Sequence, residues 1–324
     1  MSGGSVSTQS IQCMVNVPKL EMPNQFCIPL FSALHRSTSL LCRYCFMNLR
    51  RLWTVISVAL AVLILGTTIH ASSAPVASSP KTQLLWYGQS AFRLTTPTGK
   101  VLLIDPWITN PLNPNGKTDL AAIDQADLIL ITHGHFDHVG DAVTIAKRTK
   151  AKLVSTADLG QALVNVAGYP KDQAGLETQG NFGGELSLLN NEVKIAFVPA
   201  VHSSTVASDG SPAQFAGNPG GFLISVNNGP VIYHTGDTDL FSDMSLIPKF
   251  RRVNVMLTCI GDKFTMGTQR AAEAVKIINP TIVIPMHYGI FNLPGTPQGF
   301  AQALSQQGVK SQLRVLKVGE PVQL

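Results

Sequence analysis

From residue 83 onward, apolar and polar positions alternate in short blocks, and these blocks predict strands. Residues 83–87, 91–95 and 100–104 are three such runs, the last two separated by the turn residues Pro97, Thr98 and Gly99. Spacing this tight means antiparallel hairpins. The run 127–132 stops abruptly at a histidine-rich stretch. Residues 141–150 then place Ala142, Ile145 and Ala146 on one helical face, 152–155 read as a strand, and 157–166 as a helix.

The middle of the chain returns to hairpins. Residues 185–189 and 192–198 are joined across Asn190 and Asn191, and 222–226 and 231–235 are joined over Asn228-Gly229, a strong turn signal. Between these hairpins lies a polar, glycine-containing loop, 202–220. The end alternates: strand 253–259, helix 268–278, strand 281–286, helix 297–307, strand 313–318. Hairpins in each half, helices between the later strands and no internal repeat predict an α/β (α+β) class. We expect one domain over 83–324, with two mixed sheets packed together and helices outside.

The pattern before residue 83 is different. Residues 75–82 are a linker by composition. Upstream, Met47 opens a segment with Arg50 and Arg51, an apolar run over 52–66, and then the small residues Ala71, Ser72, Ser73 and Ala74. Basic, apolar and small segments in that order predict a cleaved signal peptide over 47–74, and so an exported product, periplasmic or secreted. The alternative is a membrane anchor over 52–66, but that run is shorter than the roughly 20 residues that span a bilayer. No stable membrane insertion is expected after cleavage. Residues 1–46 have no hydrophobic period and are expected to be an unstructured, non-native extension, with translation starting at Met47.

Charge and cysteines follow the same division. The net charge is +5, but Lys19, Arg36, Arg43, Arg50 and Arg51 against Glu21 place +4 of it in residues 1–74. The domain is nearly neutral, which removes the electrostatic case for a nucleic-acid partner. Cys13, Cys27, Cys42 and Cys45 also fall before residue 75, so the Cys42-Arg43-Tyr44-Cys45 pair is read neither as a zinc knuckle nor as a redox motif. Cys259 alone remains, inside an apolar run, and reads as a buried small hydrophobe.

The chemistry begins at Thr132-His133-Gly134-His135-Phe136-Asp137-His138, which follows an apolar strand. Three of the chain's eight histidines stand here with a carboxylate inside six positions, and imidazole and carboxylate together suit a divalent transition ion. One cluster cannot fill two coordination spheres. Further donors stand just past later strands: His202 after 195–201, Asp237 within Thr235-Gly236-Asp237-Thr238, and His287 after 281–286. Each alone is a weak signal; together, and in this order, they complete a ligand set.

With that set in place, the sequence resembles the metallo-β-lactamase superfamily, whose motif of two histidines, an aspartate and a histidine is matched by His133, His135, Asp137 and His138. The later ligands of the family fall on His202, Asp237 and His287. Leu85-Trp86-Tyr87-Gly88-Gln89-Ser90-Ala91-Phe92, Leu103-Ile104-Asp105-Pro106, Tyr233-His234-Thr235-Gly236-Asp237-Thr238, Phe264-Thr265-Met266-Gly267 and Pro285-Met286-His287-Tyr288-Gly289 are similar to the metal-dependent hydrolase branch that includes relatives of L-ascorbate-phosphate lactonase. The resemblance implies an αββα sandwich, the metallo-β-lactamase fold, with the site at the edge between the sheets. It also implies two divalent ions per chain. His133, His135 and His202 would hold one, Asp137, His138 and His287 the other, and Asp237 would bridge them.

Five imidazoles among the seven ligands favour Zn²⁺, with Mn²⁺ the alternative. The expected function is hydrolysis of an ester-type bond, a lactone or a phosphoester, in a small-molecule substrate, by a hydroxide activated between the metals with Asp137 as the catalytic residue. Asp105 is expected to hydrogen-bond a metal-binding histidine, and His234 to be structural. Lys263 is the basic residue placed nearest the site, and the loop 203–220 one wall of the pocket. Antibiotic hydrolysis is disfavoured, because true zinc β-lactamases lack a bridging carboxylate at this point. A flavo-diiron enzyme would need an acid in place of His135 and a following flavin domain. A non-catalytic metal-binding protein of the same fold is the remaining alternative.

Overall fold

The computed structural model describes residues 81–208 and 210–324. The extension over 1–46, the signal peptide over 47–74, the anchor alternative over 52–66 and nearly all of the linker over 75–82 lie outside the described residues.

Two seven-stranded mixed sheets carry the domain. The first contains β1 (Gln83–Gly88), β2 (Ala91–Thr95), β3 (Val101–Ile104), β4 (Leu128–Leu130), β5 (Lys152–Thr156) and β6 (Gln179–Gly180), in that spatial order. The second contains β7 (Glu185–Leu188), β8 (Val193–Pro199), β11 (Gly220–Val226), β12 (Val231–His234), β13 (Val255–Cys259), β14 (Ile282–Met286) and β15 (Gln312–Leu313). β9 (Thr205–Val206) and β10 (Gln214–Phe215) form a small ribbon, and β16 (Val322–Gln323) returns to pair with β1. Both sheets follow one plan. Antiparallel hairpins occupy one side, β1 to β3 and β7 to β12, and parallel strands reached through helical crossovers occupy the other.

β3 and β4 show why their sequences are uniformly apolar. Successive strand residues point to opposite faces, and both faces are covered. Leu102, Ile104, Leu128 and Leu130 join Phe92, Phe197, Phe222, Ile224 and Leu257 in the core between the sheets. Their neighbours Val101, Leu103, Ile129 and Ile131 pack outward against Ala142, Ile145, Ala146 and Leu159. These last four belong to α3 (Ala142–Thr149) and α4 (Ala157–Ala162), which follow α1 (Gly116–Ala122) and α2 (Phe136–Val139). After the short α5 (Ile247–Phe250), α6 (Thr268–Ile278) and α7 (Pro297–Gln306) bury Ala271, Val275, Ile278, Phe300 and Leu304 in the cluster of the second sheet. The αββα sandwich is therefore present as expected.

The differences are local. The strand expected over 313–318 shrinks to β15, because after Leu313 the chain leaves the edge of the second sheet and crosses to the first. Arg314 N still donates to Val283 O (2.9 Å), and Gly319 N already donates to Trp86 O (2.9 Å). The helix expected over 157–166 stops at Ala162 and continues as a wider π turn, Leu163–Ala167. The polar loop 202–220 holds the β9–β10 ribbon. Among the described residues, no helix is long and apolar enough to cross a membrane.

Candidate metal centre

β4 delivers the histidine-rich loop to the end of the first sheet, and two glycines, Gly134 and Gly140, shape the turn after it. A Cβ on Gly134 would lie 2.7 Å from Ala216 Cβ and 2.9 Å from Thr205 O, so the ribbon closes directly on the loop backbone. Ser204 Oγ fastens this contact, accepting from Gly134 N (3.1 Å) and donating to Ala216 O (3.0 Å). Gly140 then ends α2 at φ 38°, a backbone region that other residues rarely adopt. Within the single turn of α2, Asp137 and His138 are turned inward and buried.

The second sheet supplies one residue per strand end. His202 follows β8, Asp237 follows β12 and His287 follows β14. All seven residues expected as ligands meet, and their donor atoms form three overlapping groups in which every atom lies within 4.8 Å of the others: His133, His135 and His202; His133, His138 and Asp237; Asp137, His138 and His287. Asp237 sits at the centre. Its Oδ1 is 3.3 Å from His138 Nε2, and its Oδ2 is 2.9 Å from His287 Nε2 and 3.7 Å from His202 Nε2. Asp137 Oδ2 lies 3.5 Å from His287 Nε2 and 3.7 Å from His138 Nε2.

Two observations test whether a metal fits. His135 Nδ1 lies 2.9 Å from His133 Nε2 and 3.3 Å from His202 Nε2. Nitrogens sharing one tetrahedral zinc, at about 2.0–2.1 Å each, stand roughly 3.3 Å apart, so three lone pairs here converge at a spacing an ion would set. In addition, His138 Nε2 and Asp237 Oδ1 are buried 3.3 Å apart, and neither makes a well-aligned hydrogen bond to the other or to any third group, an arrangement that a cation would satisfy. The residues present fit divalent metal.

Electrostatics agrees. Burial, helped by neighbouring His138, holds the His133 imidazole well below its usual range, and burial also lowers His135 and His202. These three are neutral near pH 7, the state that ligates metals. Burial opposes protonation of His138 and His287, but carboxylates outweigh it. Asp237, Asp105 and Asp137 hold His138 well above its usual value, and Asp237 with Asp137 lifts His287 to about 9. Burial opposes ionisation of Asp137, yet His138 and the hydrogen bond to His287 bring its carboxyl to about 2. Without metal, protons supply the positive charge that this cluster demands; a divalent cation displaces them.

Around the ligands, supporting contacts set orientation. Asp105 accepts from Thr132 N (2.8 Å) and Thr132 Oγ1 (2.7 Å) and pairs with His138 Nδ1 at 2.7 Å, which turns Nε2 of that ring toward the carboxylates. The expected bond from Asp105 to a site histidine is present. His234 lies outside the ligand groups: its Nδ1 accepts from Gly236 N and its Nε2 bonds Ser90 O, both at 3.1 Å. It staples β12 to the β1–β2 turn. Cys259 is fully buried, and burial pushes its thiol up to about 11. Lys263 is exposed, its Nζ 4.9 Å from the centre of the Phe264 ring.

Sequence reasoning gave Gln89 no role. This buried residue donates from Nε2 to Asp137 Oδ2 (3.0 Å), while its backbone oxygen accepts from His287 N (3.1 Å) and Trp86 Nε1 (3.0 Å). In the sequence Gln89 reads as an ordinary turn residue between two apolar strands, and its positive φ (49°) is visible only in the fold. Five of the seven expected ligands, His135, Asp137, His202, Asp237 and His287, form the floor of a cavity of about 390 Å³ that Ser203 and three phenylalanines complete.

Comparison with known proteins is consistent with this geometry. The model of the beta-lactamase superfamily domain matches residues 83–287. A UPF0173 metal-dependent hydrolase of Thermodesulfovibrio yellowstonii is 56% identical over 253 residues, covering 77% of this chain and 95% of the relative. A UPF0173 metal-dependent hydrolase of Anaeromyxobacter sp. (strain K) is 51% identical over 254 residues, covering 78% and 90%. Among solved structures, Igni18, described as a novel metallo hydrolase from the hyperthermophilic archaeon Ignicoccus hospitalis, superposes with a TM-score of 0.65 at 35% identity. That match covers 75% of this chain and 98% of Igni18.

Proposed function

Because the chain belongs to the beta-lactamase superfamily and is a metal-dependent hydrolase, we propose that it holds two divalent ions and hydrolyses an ester-type bond, a lactone or a phosphoester. The observation that carries this reading is the position of Asp237. Its Oδ2 lies between His202 Nε2 (3.7 Å), from one set of donors, and His287 Nε2 (2.9 Å), from the other, while Oδ1 faces His138 of the second set (3.3 Å), a position from which the carboxylate reaches both sets. His133, His135 and His202 make one set of donors, and Asp137, His138 and His287 the other. Five imidazoles in seven ligands favour zinc over manganese.

Bound there, two ions would make a water acidic near neutral pH and stabilise negative charge developing on a substrate oxygen. Asp137, whose carboxylate the neighbouring cations would keep ionised, accepts a hydrogen bond from the attacking water and orients it. Gln89 fixes the Asp137 carboxylate, and Asp105 fixes the His138 ring. The water oxygen bonds to the acyl carbon or phosphorus, the ester C–O or P–O bond breaks, and the proton that the water loses ends on the departing alkoxide oxygen, which in a lactone stays tethered to the product as a hydroxyl. We assign the product to the periplasm or exterior on the signal-like order of residues 47–74.

The test is a hydrolysis screen of the metal-loaded protein against lactones, phosphodiesters and thioesters. Turnover of a lactone or phosphoester that chelation abolishes and zinc restores is expected. Full metal loading with no turnover of either class contradicts the proposal.

A further inference from the structure

Three phenylalanines stand over the ligand cluster from three separate segments. Phe136 is 67% exposed, Phe264 53% and Phe291 38%. All three line the same cavity as His135, Asp137, His202, Asp237 and His287. An isolated exposed ring needs no explanation, but three converging on one rim above a metal centre form a contact surface.

The wall is built rather than incidental. Trp107 stacks on Phe291 with ring centres 6.0 Å apart and planes 11° apart, and meets Phe136 edge-on at 5.5 Å. Phe136 and Phe291 close the triangle at 6.0 Å. Gly140 allows the segment carrying Trp107 to approach, since a Cβ there would lie 2.5 Å from Trp107 Cα. Charge separates the substrate classes further. Among the described residues, no lysine or arginine lines the cavity, and Lys263 lies over the Phe264 ring. A phosphate ester calls for guanidinium or ammonium groups around the metals; an alkyl or aryl group calls for apolar faces.

Resting on the hydrolase reading above, we infer that the substrate is a neutral carboxylic ester or lactone whose alkyl or aryl substituent lies against Phe136, Phe264 and Phe291. The ligand floor takes the carbonyl end, and the aromatic wall selects the substituent.

The experiment compares γ-lactones and open-chain methyl esters with lengthening alkyl tails against bis(4-nitrophenyl) phosphate. The matching lactams, which resist hydrolysis, serve as calorimetric ligands. In the zinc-loaded protein, kcat/KM should rise about twofold to fourfold per added methylene until the wall is covered, as burial of each methylene predicts. Phe264→Ala and Phe291→Ala should each lower the long-tail to short-tail ratio about tenfold while retaining metal, and Phe250→Ala, on a surface outside this cavity, should leave the ratio alone. A rate independent of tail length, or a preference for the phosphodiester, overturns the inference while leaving the hydrolase reading intact. Absence of all turnover sinks the hydrolase reading instead. In that event, lactam affinity still decides the wall: rising affinity with tail length supports it, and flat or absent binding refutes it.

Discussion

The two sheets contribute to the metal centre in opposite ways. The first delivers His133, His135, Asp137 and His138 from one loop and one helical turn, locked by Gly134, Gly140 and the bond from Asp105 to His138. The second delivers His202, Asp237 and His287 singly, each from the end of a different strand. A contiguous loop can keep its ligands in register by local contacts alone. Three strand ends are in register only when the whole sheet is formed and docked, so the second half of the site reports on tertiary packing and the first on local structure. Asp237 and the β1–β2 turn join the halves: Asp237 faces His138 on one side and His287 on the other, and Gln89 reaches Asp137 by its side chain and His287 by its backbone.

The comparison can be broken most severely at the junction. Asp237→Ala should lower metal content and remove nearly all hydrolysis, whereas Asp137→Asn should keep more metal and lose turnover, a split that elemental analysis and rates together reveal. Next in size is Asp105→Ala, which frees the His138 ring. Metal affinity or activity should fall about 10–100-fold, as for other carboxylates that orient a ligating histidine. Gln89→Ala should act on rate more than on metal, within about the same range, and kcat measured at saturating zinc checks it. His234→Ala should leave metal content near normal and cost at most about 10–100-fold in activity. It should lower stability by about 1–3 kcal/mol, measured by denaturant unfolding, because Gly236 N and Ser90 O lose their partner. The smallest effect concerns the proposed export signal: intact mass of envelope-derived protein should place its first residue between about Ala71 and Pro75.

The same contrast explains what could be read from the sequence. β3 and β4 were legible because full burial makes them apolar throughout, and the β11–β12 hairpin because Asn228, at φ 55°, and Gly229 make its turn. β6, β15 and β16 are two-residue pairings, too short for any period, and α1 went unread because only Gly116 among its residues is buried. The histidine loop announced itself by density. His202, Asp237 and His287 carried weight only as a set, since a lone polar residue past a strand is commonly a surface residue or a cap. Gln89 and the wall of Phe136, Phe264 and Phe291 left no local pattern, because their roles arise from contacts between segments distant in the chain.

Metal stoichiometry tests most directly whether the two sheets build one bridged site. The protein should be stripped with chelator, reconstituted with zinc, freed of excess and analysed by elemental mass spectrometry beside its Asp237→Ala variant. Two ions per chain in the wild-type protein, with a clear loss in the variant, are predicted. A single ion in the wild-type protein, or two ions retained without Asp237, would contradict the bridge.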